Sequence, residues 1–336
     1  SGLVGSEMCI RDRPDFSVFN FSTSEILNAT HAMEPFQVKI LGCGSALPTG
    51  KHFCSSQVVE VRGKQFMIDC GEGTQMQLRK YSVHFSRLIA VFISHMHGDH
   101  CFGLLGMLST FGMTGRTAPL HLYAPADFEG LFRQELDFFC DRLGFEVVFH
   151  PVDTTVQQVI YEDKSLTVET IPLSHRVPCC GFLFREKPLL PHIRRDRIDY
   201  YNIPLSQINN IKAGAGWTTE EGVVLAHEEL VTPADPPRSY AYCSDTRYLP
   251  DLHKRIAGVS TLYHESTYDD SNIDRAQLYY HSTAGQAALV ARDAKVGKLL
   301  LGHFSARHYN EEALLQDARK VFPESFLTNE GLTFDV

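Results

Sequence analysis

No stretch of this 336-residue chain reaches the roughly 18 consecutive apolar residues that a membrane-spanning helix requires. Nor does it open with the basic start and apolar core of a signal peptide. Its nine cysteines are an odd number, none forms a Cys-x-x-Cys pair, and Cys179 and Cys180 are adjacent. Such a pattern is not a disulfide framework, so a reducing, cytoplasmic setting is expected. Excess positive charge is lacking too, since 31 Lys and Arg face 40 Asp and Glu, for a net charge of −9. This disfavours a protein that coats nucleic acid along its whole surface, and still permits a local basic grip.

With 43% hydrophobic and 21% charged residues, the chain can bury one large core or two small ones. Residues 1–32 are rich in Ser, Asn and Thr without helical or alternating periodicity, and read as an extension outside the fold. Met33 is the expected natural start, and residues 33–336 the expected domain. Short β-branched segments split by glycine (37–41, 56–61, 65–69) predict a meander, followed by a helix over 72–81. A strand at 120–123 and a helix over 127–143, apolar along Phe128, Leu131, Phe132, Leu136 and Phe139, come next. Four strand-like runs from 145 to 184 favour a second sheet, and 188–237 breaks the rhythm with six prolines. Beyond it lie strands at 240–243, 261–263 and 298–301, helices at 282–294 and 311–321, and a terminal strand pair. The expected fold class is α/β: two mixed sheets inside, helices outside, with one extended insertion.

The chain is organised around His95-Met-His-Gly-Asp-His100. The apolar run Leu88 to Ile93 precedes it and reads as a strand buried on both faces, while Cys101 to Met113 reads as a helix. Three imidazoles and a carboxylate thus share one strand-to-helix turn, where Gly98 is expected to permit unusual backbone angles. These side chains are ligands for Zn²⁺ and similar ions. His95 and His97 can grip one ion while Asp99 and His100 reach another. Three more strand-like runs end beside such a group: at His175, at Asp245, where a bridging carboxylate fits, and at His303. Together they complete two ligand sets on one rim.

These residues, with Leu41-Gly-Cys-Gly-Ser-Ala, Phe66-Met-Ile-Asp-Cys-Gly-Glu-Gly-Thr-Gln75, Tyr242-Cys-Ser-Asp-Thr-Arg247, His264-Glu-Ser-Thr267, Tyr280-His-Ser-Thr283 and Gly302-His-Phe-Ser-Ala-Arg307, carry a resemblance. Over roughly residues 36–336 the chain resembles the metallo-β-lactamase fold superfamily and, within it, is similar to the ribonuclease Z family. The resemblance implies an αββα sandwich and a zinc-dependent endoribonuclease that removes the 3′ trailer from precursor tRNA. Metal-activated hydroxide would attack the phosphodiester, leaving a 3′-hydroxyl on the tRNA. It implies two Zn²⁺ per chain, one held by His95, His97 and His175, the other by Asp99, His100 and His303, with Asp245 bridging. Asp99 and His281 are the implied catalytic residues. Ser282, Thr283, Ser305 and Arg307 are implied on the substrate, and Asp69, His264 and Glu265 are expected to orient ligands.

By the same resemblance the insertion at 188–237 is an arm that grips tRNA, and the protein a homodimer. Between Arg185 and Lys212, six Lys or Arg stand against three Asp or Glu, which makes Arg194, Arg195, Arg197 and Lys212 candidate phosphate contacts. The arm lacks the Gly-Pro turn usual in that family, having Ile203-Pro-Leu-Ser-Gln-Ile208 instead. Two other readings share these residues. A small-molecule phosphodiesterase or aryl sulfatase of the same fold would need no basic arm. A non-catalytic tRNA-binding module would hold zinc only for structure, for which closed, thiolate-rich sites are usual.

Overall fold

The computed structural model of the chain describes residues 34–336 apart from 141 and 309. The expectation for residues 1–32 lies outside this range.

Fourteen strands build two seven-stranded sheets. The first sheet takes β1 (Phe36–Gly42), β2 (Ser56–Val61), β3 (Lys64–Ile68), β4 (Leu88–Phe92), β5 (Leu120–Pro125) and β6 (Val147–Val152) in order, with β14 (Thr333–Asp335) outside β1. Its first strands pair antiparallel, as the glycine-punctuated meander predicts, and β3 to β6 run parallel. The second holds β7 (Val159–Glu162), β8 (Leu166–Pro172), β9 (Cys180–Glu186), β10 (Ser239–Cys243), β11 (Thr261–Glu265), β12 (Lys298–Gly302) and β13 (Ser325–Leu327). Both sheets are mixed, as expected. Two sequence expectations need correction. The strand beginning near Phe145 belongs to the first sheet, so three successive strands, not four, open the second. The terminal strands do not pair with each other: β13 joins β12 and β14 joins β1.

The side-chain period of two sorts each inner strand between two cores. On β4, Ala90 and Phe92 enter the layer between the sheets, against Phe182 and Phe184. Val91 faces the opposite way, under α2 (Leu104–Met113) and its buried Leu104, Met107, Leu108 and Phe111, and an irregularity in the β3–β4 register between Leu88 and Ala90 puts Leu88 on that side as well. Truncating a residue such as Phe92, fully buried, would cost about 3–5 kcal/mol. Helix α1 (Thr74–Lys80) precedes β4, and α3 (Glu129–Phe139) follows β5. On α3 the expected apolar face is only partly used, because Phe132 is buried while Leu131 and Phe139 are exposed. Helices α4 (Ala284–Ala294) and α5 (Glu312–Val321) pack by Ala287, Ala291, Leu314 and Ala318 against the second sheet.

The insertion leaves β9 at Glu186 and returns at Arg238 to begin β10. It contains short helices at Arg195–Tyr200 and Ile208–Lys212 around a small core of Ile198, Ile203, Ile211, Leu225 and Leu230. A periodicity search misses these one- or two-turn pieces, since each is shorter than the window that reveals an amphipathic face.

Candidate metal centre and active site

The candidate residues meet because their strands point the same way. β3 and β4 are parallel, as are β10, β11 and β12, and two antiparallel steps restore the same direction to β8. The carboxyl ends of all six therefore open on one rim, the usual place for a site in open α/β sheets. Asp69 follows β3, His95 to His100 follow β4, His175 follows β8, Asp245 follows β10, and His303 follows β12. Asp69 and His303 both take left-handed backbone angles, φ +57° and +61°, that turn the chain sharply at the strand end. Gly98 does not: its φ is ordinary, and its need is space, since a Cβ there would meet the Phe102 ring at 2.3 Å.

Two groups of donor atoms converge. In one, His97 Nδ1 lies 3.2 Å from His95 Nε2 and 3.1 Å from His175 Nε2. Asp245 Oδ2 is 3.7 Å from His95 Nε2 and 3.6 Å from His175 Nε2. In the other, His100 Nε2 and His303 Nε2 are 3.3 Å apart, each 3.5 Å from Asp99 Oδ2. Asp245 Oδ1 completes it, 3.5 Å from His100 Nε2 and 3.1 Å from His303 Nε2. Thus the two oxygens of one buried carboxylate face the two groups, and Oδ1 has no hydrogen-bond partner among the described residues. Ligands at 2.0–2.1 Å from a tetrahedral ion sit about 3.3–3.4 Å apart, within the 3.1–3.7 Å range of these atoms. The donor set fits divalent cations.

The ring nitrogens turned away from the centre are held as well. His95 Nδ1 lies 3.0 Å from Ser94 Oγ, His100 Nδ1 is 2.7 Å from Asp69 Oδ2, and His303 Nδ1 is 2.9 Å from Thr267 Oγ1. His175 Nδ1 donates to the Tyr280 carbonyl at 2.9 Å. Such outer bonds fix ring orientation and tautomer. Asp69, fully buried, also accepts from the Ser94 amide and hydroxyl and from the Tyr242 hydroxyl. It thus holds His100, one of the histidines expected as a ligand. His264 differs: among the described residues its ring hydrogen-bonds only to the Glu265 carbonyl.

Burial lowers the pKa of His95, His97 and His175, favouring neutral rings whose lone pairs suit a cation. Burial works to raise those of Asp99 and Asp245, but His100 and His303 outweigh it and hold both carboxyls well below their usual range. The Ala46 amide donates to Asp99 Oδ2 at 2.7 Å. A cavity of about 400 Å³ opens over the centre, lined by His97, Asp99, Asp245, His281 and His303. His281 is largely buried, with Nδ1 2.9 Å from Glu265 Oε1. Burial alone would depress its pKa, yet Glu265 and then Asp245 push it up to about 9.

Of the residues expected on substrate, Ser305 and Arg307 line a neighbouring cavity. Ser282 and Thr283, also expected there, are turned to the protein interior. Both are buried: Ser282 Oγ donates to the Thr246 carbonyl, and Thr283 caps α4 by accepting from the Gln286 amide. In the arm, Arg194 and Arg197 are both drawn to Asp196, at 2.9 Å and 3.7 Å, while Arg195 is exposed and makes no salt bridge among the described residues. Lys212 closes its short helix, half-buried. Sequence reasoning passed over Arg176 and Glu72, which also line the central cavity. The position of Arg176 next to His175 was the available signal.

Two mixed sheets with outer helices, and clustered His and Asp at one rim, define a metalloprotein of the metallo-β-lactamase fold. The B. subtilis metallo-β-lactamase fold protein YhfI superposes with a TM-score of 0.64 at 17% identity, over 90% of this chain and all of its own. The short form of human tRNase Z superposes with a TM-score of 0.65 at 25% identity, covering 89% of this chain and 98% of that one. A family model described as anti-Pycsar protein Apyc1 matches residues 36–191. A ribonuclease Z of Bacteroides fragilis is 55% identical over 300 residues, 89% of this chain and 99% of that relative. One from Porphyromonas gingivalis is 46% identical over 304 residues, 90% of this chain and all of the relative. The chain belongs to the ribonuclease Z family.

Proposed function

We propose that this protein is a zinc-dependent endoribonuclease that removes the 3′ trailer of precursor tRNA and leaves a 3′-hydroxyl on the tRNA. The observation that carries the reading is Asp245, whose two oxygens face two separate sets of imidazole and carboxylate donors. His95, His97 and His175 would hold one zinc ion, and Asp99, His100 and His303 the other, with Asp245 shared. When bound, such ions act as Lewis acids that lower the pKa of water and neutralise charge developing on a phosphoryl group.

The chain's own residues supply the rest. Asp99, ionised and oriented by the Ala46 amide, is placed to accept a proton inside the cavity. His281 holds a proton at neutral pH because Glu265 faces its Nδ1, so its other nitrogen can protonate the leaving 3′-oxygen or steady charge on the phosphate. Residues 33–336 form the nuclease domain, and the arm at 188–237 holds tRNA away from the centre.

A cytoplasmic setting is supported by the eight described cysteines, all free thiols. No helix among the described residues is long and apolar enough to cross a membrane. A homodimer is supported by the exposed apolar residues Leu131, Phe138 and Phe139 on α3, which a second copy can cover. The deciding experiment incubates the purified protein with a 3′-extended precursor tRNA and maps the cut. Cleavage at the trailer junction is expected. Hydrolysis of small phosphodiesters or aryl sulfates without any cut in the precursor would favour the small-substrate alternative.

A further inference from the structure

Three cavities meet at His281. The central one carries the donor atoms, and another of about 360 Å³ lies toward Arg247 and Gln286. The third, about 300 Å³, continues from the central cavity past Arg176 and His281 to Tyr268, Tyr279 and Arg307. It shares Ser45, Ala46, Arg176 and His281 with the central cavity, so the two form one groove.

Its chemistry is distinctive for a chain of net charge −9. Arg176 and Arg307 are exposed, and neither makes a salt bridge among the described residues, whereas Arg133, Arg185, Arg194 and Arg238 each hold a carboxylate. Two unpaired guanidinium forks at one pocket are suited to phosphate. Between them stand two phenol rings. Tyr268 is half-buried, 6.1 Å from the His281 ring, and Tyr279 is 42% exposed. Aromatic faces beside cationic forks are how proteins take unpaired nucleotides, the base stacking and the backbone phosphate pairing with charge.

We propose that this pocket is a subsite for one unpaired nucleotide adjoining the scissile phosphate, its base against Tyr268 and Tyr279 and its phosphate between Arg176 and Arg307. The inference rests on the nuclease reading above. Arg176 and the two tyrosines then hold the nucleotide beside the cut whatever its base, a binding role apart from the metal donors.

The test compares the wild type with Tyr279→Leu, an exposed position where folding is not at stake, on three precursors. One is intact, one has an abasic sugar as the last retained nucleotide, and one has it as the first trailer nucleotide. On the intact precursor the variant should lose roughly 5- to 100-fold in kcat/KM, the range of one base–aromatic stack. On the precursor lacking the stacked base, wild type and variant should agree within about twofold. Whichever abasic precursor does this identifies the side of the cut that the pocket serves. No loss on the intact precursor, or convergence on neither abasic one, overturns the subsite. Arg176→Ala is the second arm: the slope of log kcat/KM against log salt should shrink by about 0.7, one phosphate contact on a single strand. An unchanged slope overturns its phosphate contact. A wild-type protein that leaves the intact precursor uncut overturns the nuclease reading itself, an outcome distinct from a cleaving enzyme indifferent to these substitutions.

Discussion

Glu186 and Arg238 close the base of the arm. Oε2 of Glu186 accepts from the Arg238 backbone amide at 3.0 Å and from its Nε at 2.9 Å, while Oε1 accepts from Nη2 at 2.8 Å. Arg62 adds its Nε at 3.3 Å from Oε1, so one buried carboxylate ties together chain segments from both sheets. The two partners lie 52 residues apart, one on each side of the insertion. The clamp thus fixes where the arm leaves the domain.

A pH dependence follows from that clamp. Burial works to raise the Glu186 pKa, but hydrogen bonds and charge from Arg238, with Arg62, outweigh it and hold the carboxyl below its usual range. A depressed carboxylate stabilises the fold fully above its unfolded pKa, and that contribution is lost as pH falls through the folded value. Glu186→Gln should therefore cost about 2–3 kcal/mol near pH 7 by denaturant unfolding. The gap between variant and wild type should narrow below about pH 4.5. A gap that is the same at pH 7 and at the acid end would show that Glu186 is not held as a charged partner.

Metal content tests the two donor sets. Elemental analysis of the purified protein should find about two zinc ions per chain, and a chelator should abolish RNA cleavage. Because Asp245 faces both sets, Asp245→Asn should weaken retention of both ions, whereas His175→Ala should chiefly empty one set. Equal loss in the two variants would remove the bridging role.

His281→Ala separates chemistry from coordination. The variant should keep its zinc and its affinity for precursor tRNA while kcat falls by about 10²–10⁴-fold, the usual worth of acid–base help. Zinc loss in that variant would instead make His281 a ligand, an outcome its nearness to Asp245 and His303 makes worth measuring.

The arm can be removed as a unit. Replacing residues 190–235 with a short Gly/Ser linker should preserve hydrolysis of a small activated phosphodiester and sharply weaken precursor tRNA binding. The salt dependence of that binding should flatten, since fewer counterions are released. Within the arm, Arg195→Ala should weaken binding more than Arg194→Ala, because Asp196 already occupies the Arg194 guanidinium. An arm-less protein that processes precursor tRNA at full efficiency would contradict the tRNA-holding role.

The sequence by itself determined the parts of this protein that are local. His95 to His100 after a doubly buried strand, and the ends of the strands at His175, Asp245 and His303, could be read directly. Strand period, strand length and ligand chemistry are all expressed within a few adjacent residues.

Only the tertiary structure decided what depends on distant pairing. Ser94 and Ser244 meet across 150 positions, their hydroxyls 3.0 Å apart where the ends of β4 and β10 come together. The two-sided placement of Asp245, the hold of Glu265 on His281 and the burial of Ser282 follow from how the sheets stack. So does the parting of the terminal strands, β13 and β14, which one loop joins and two sheets claim. Arg194 and Arg197 read as free charge in sequence, yet their short helix sets them against Asp196. Residue type states which contacts a side chain can make. Which one it makes is fixed by the neighbours that packing brings within reach, and those are drawn from the whole chain.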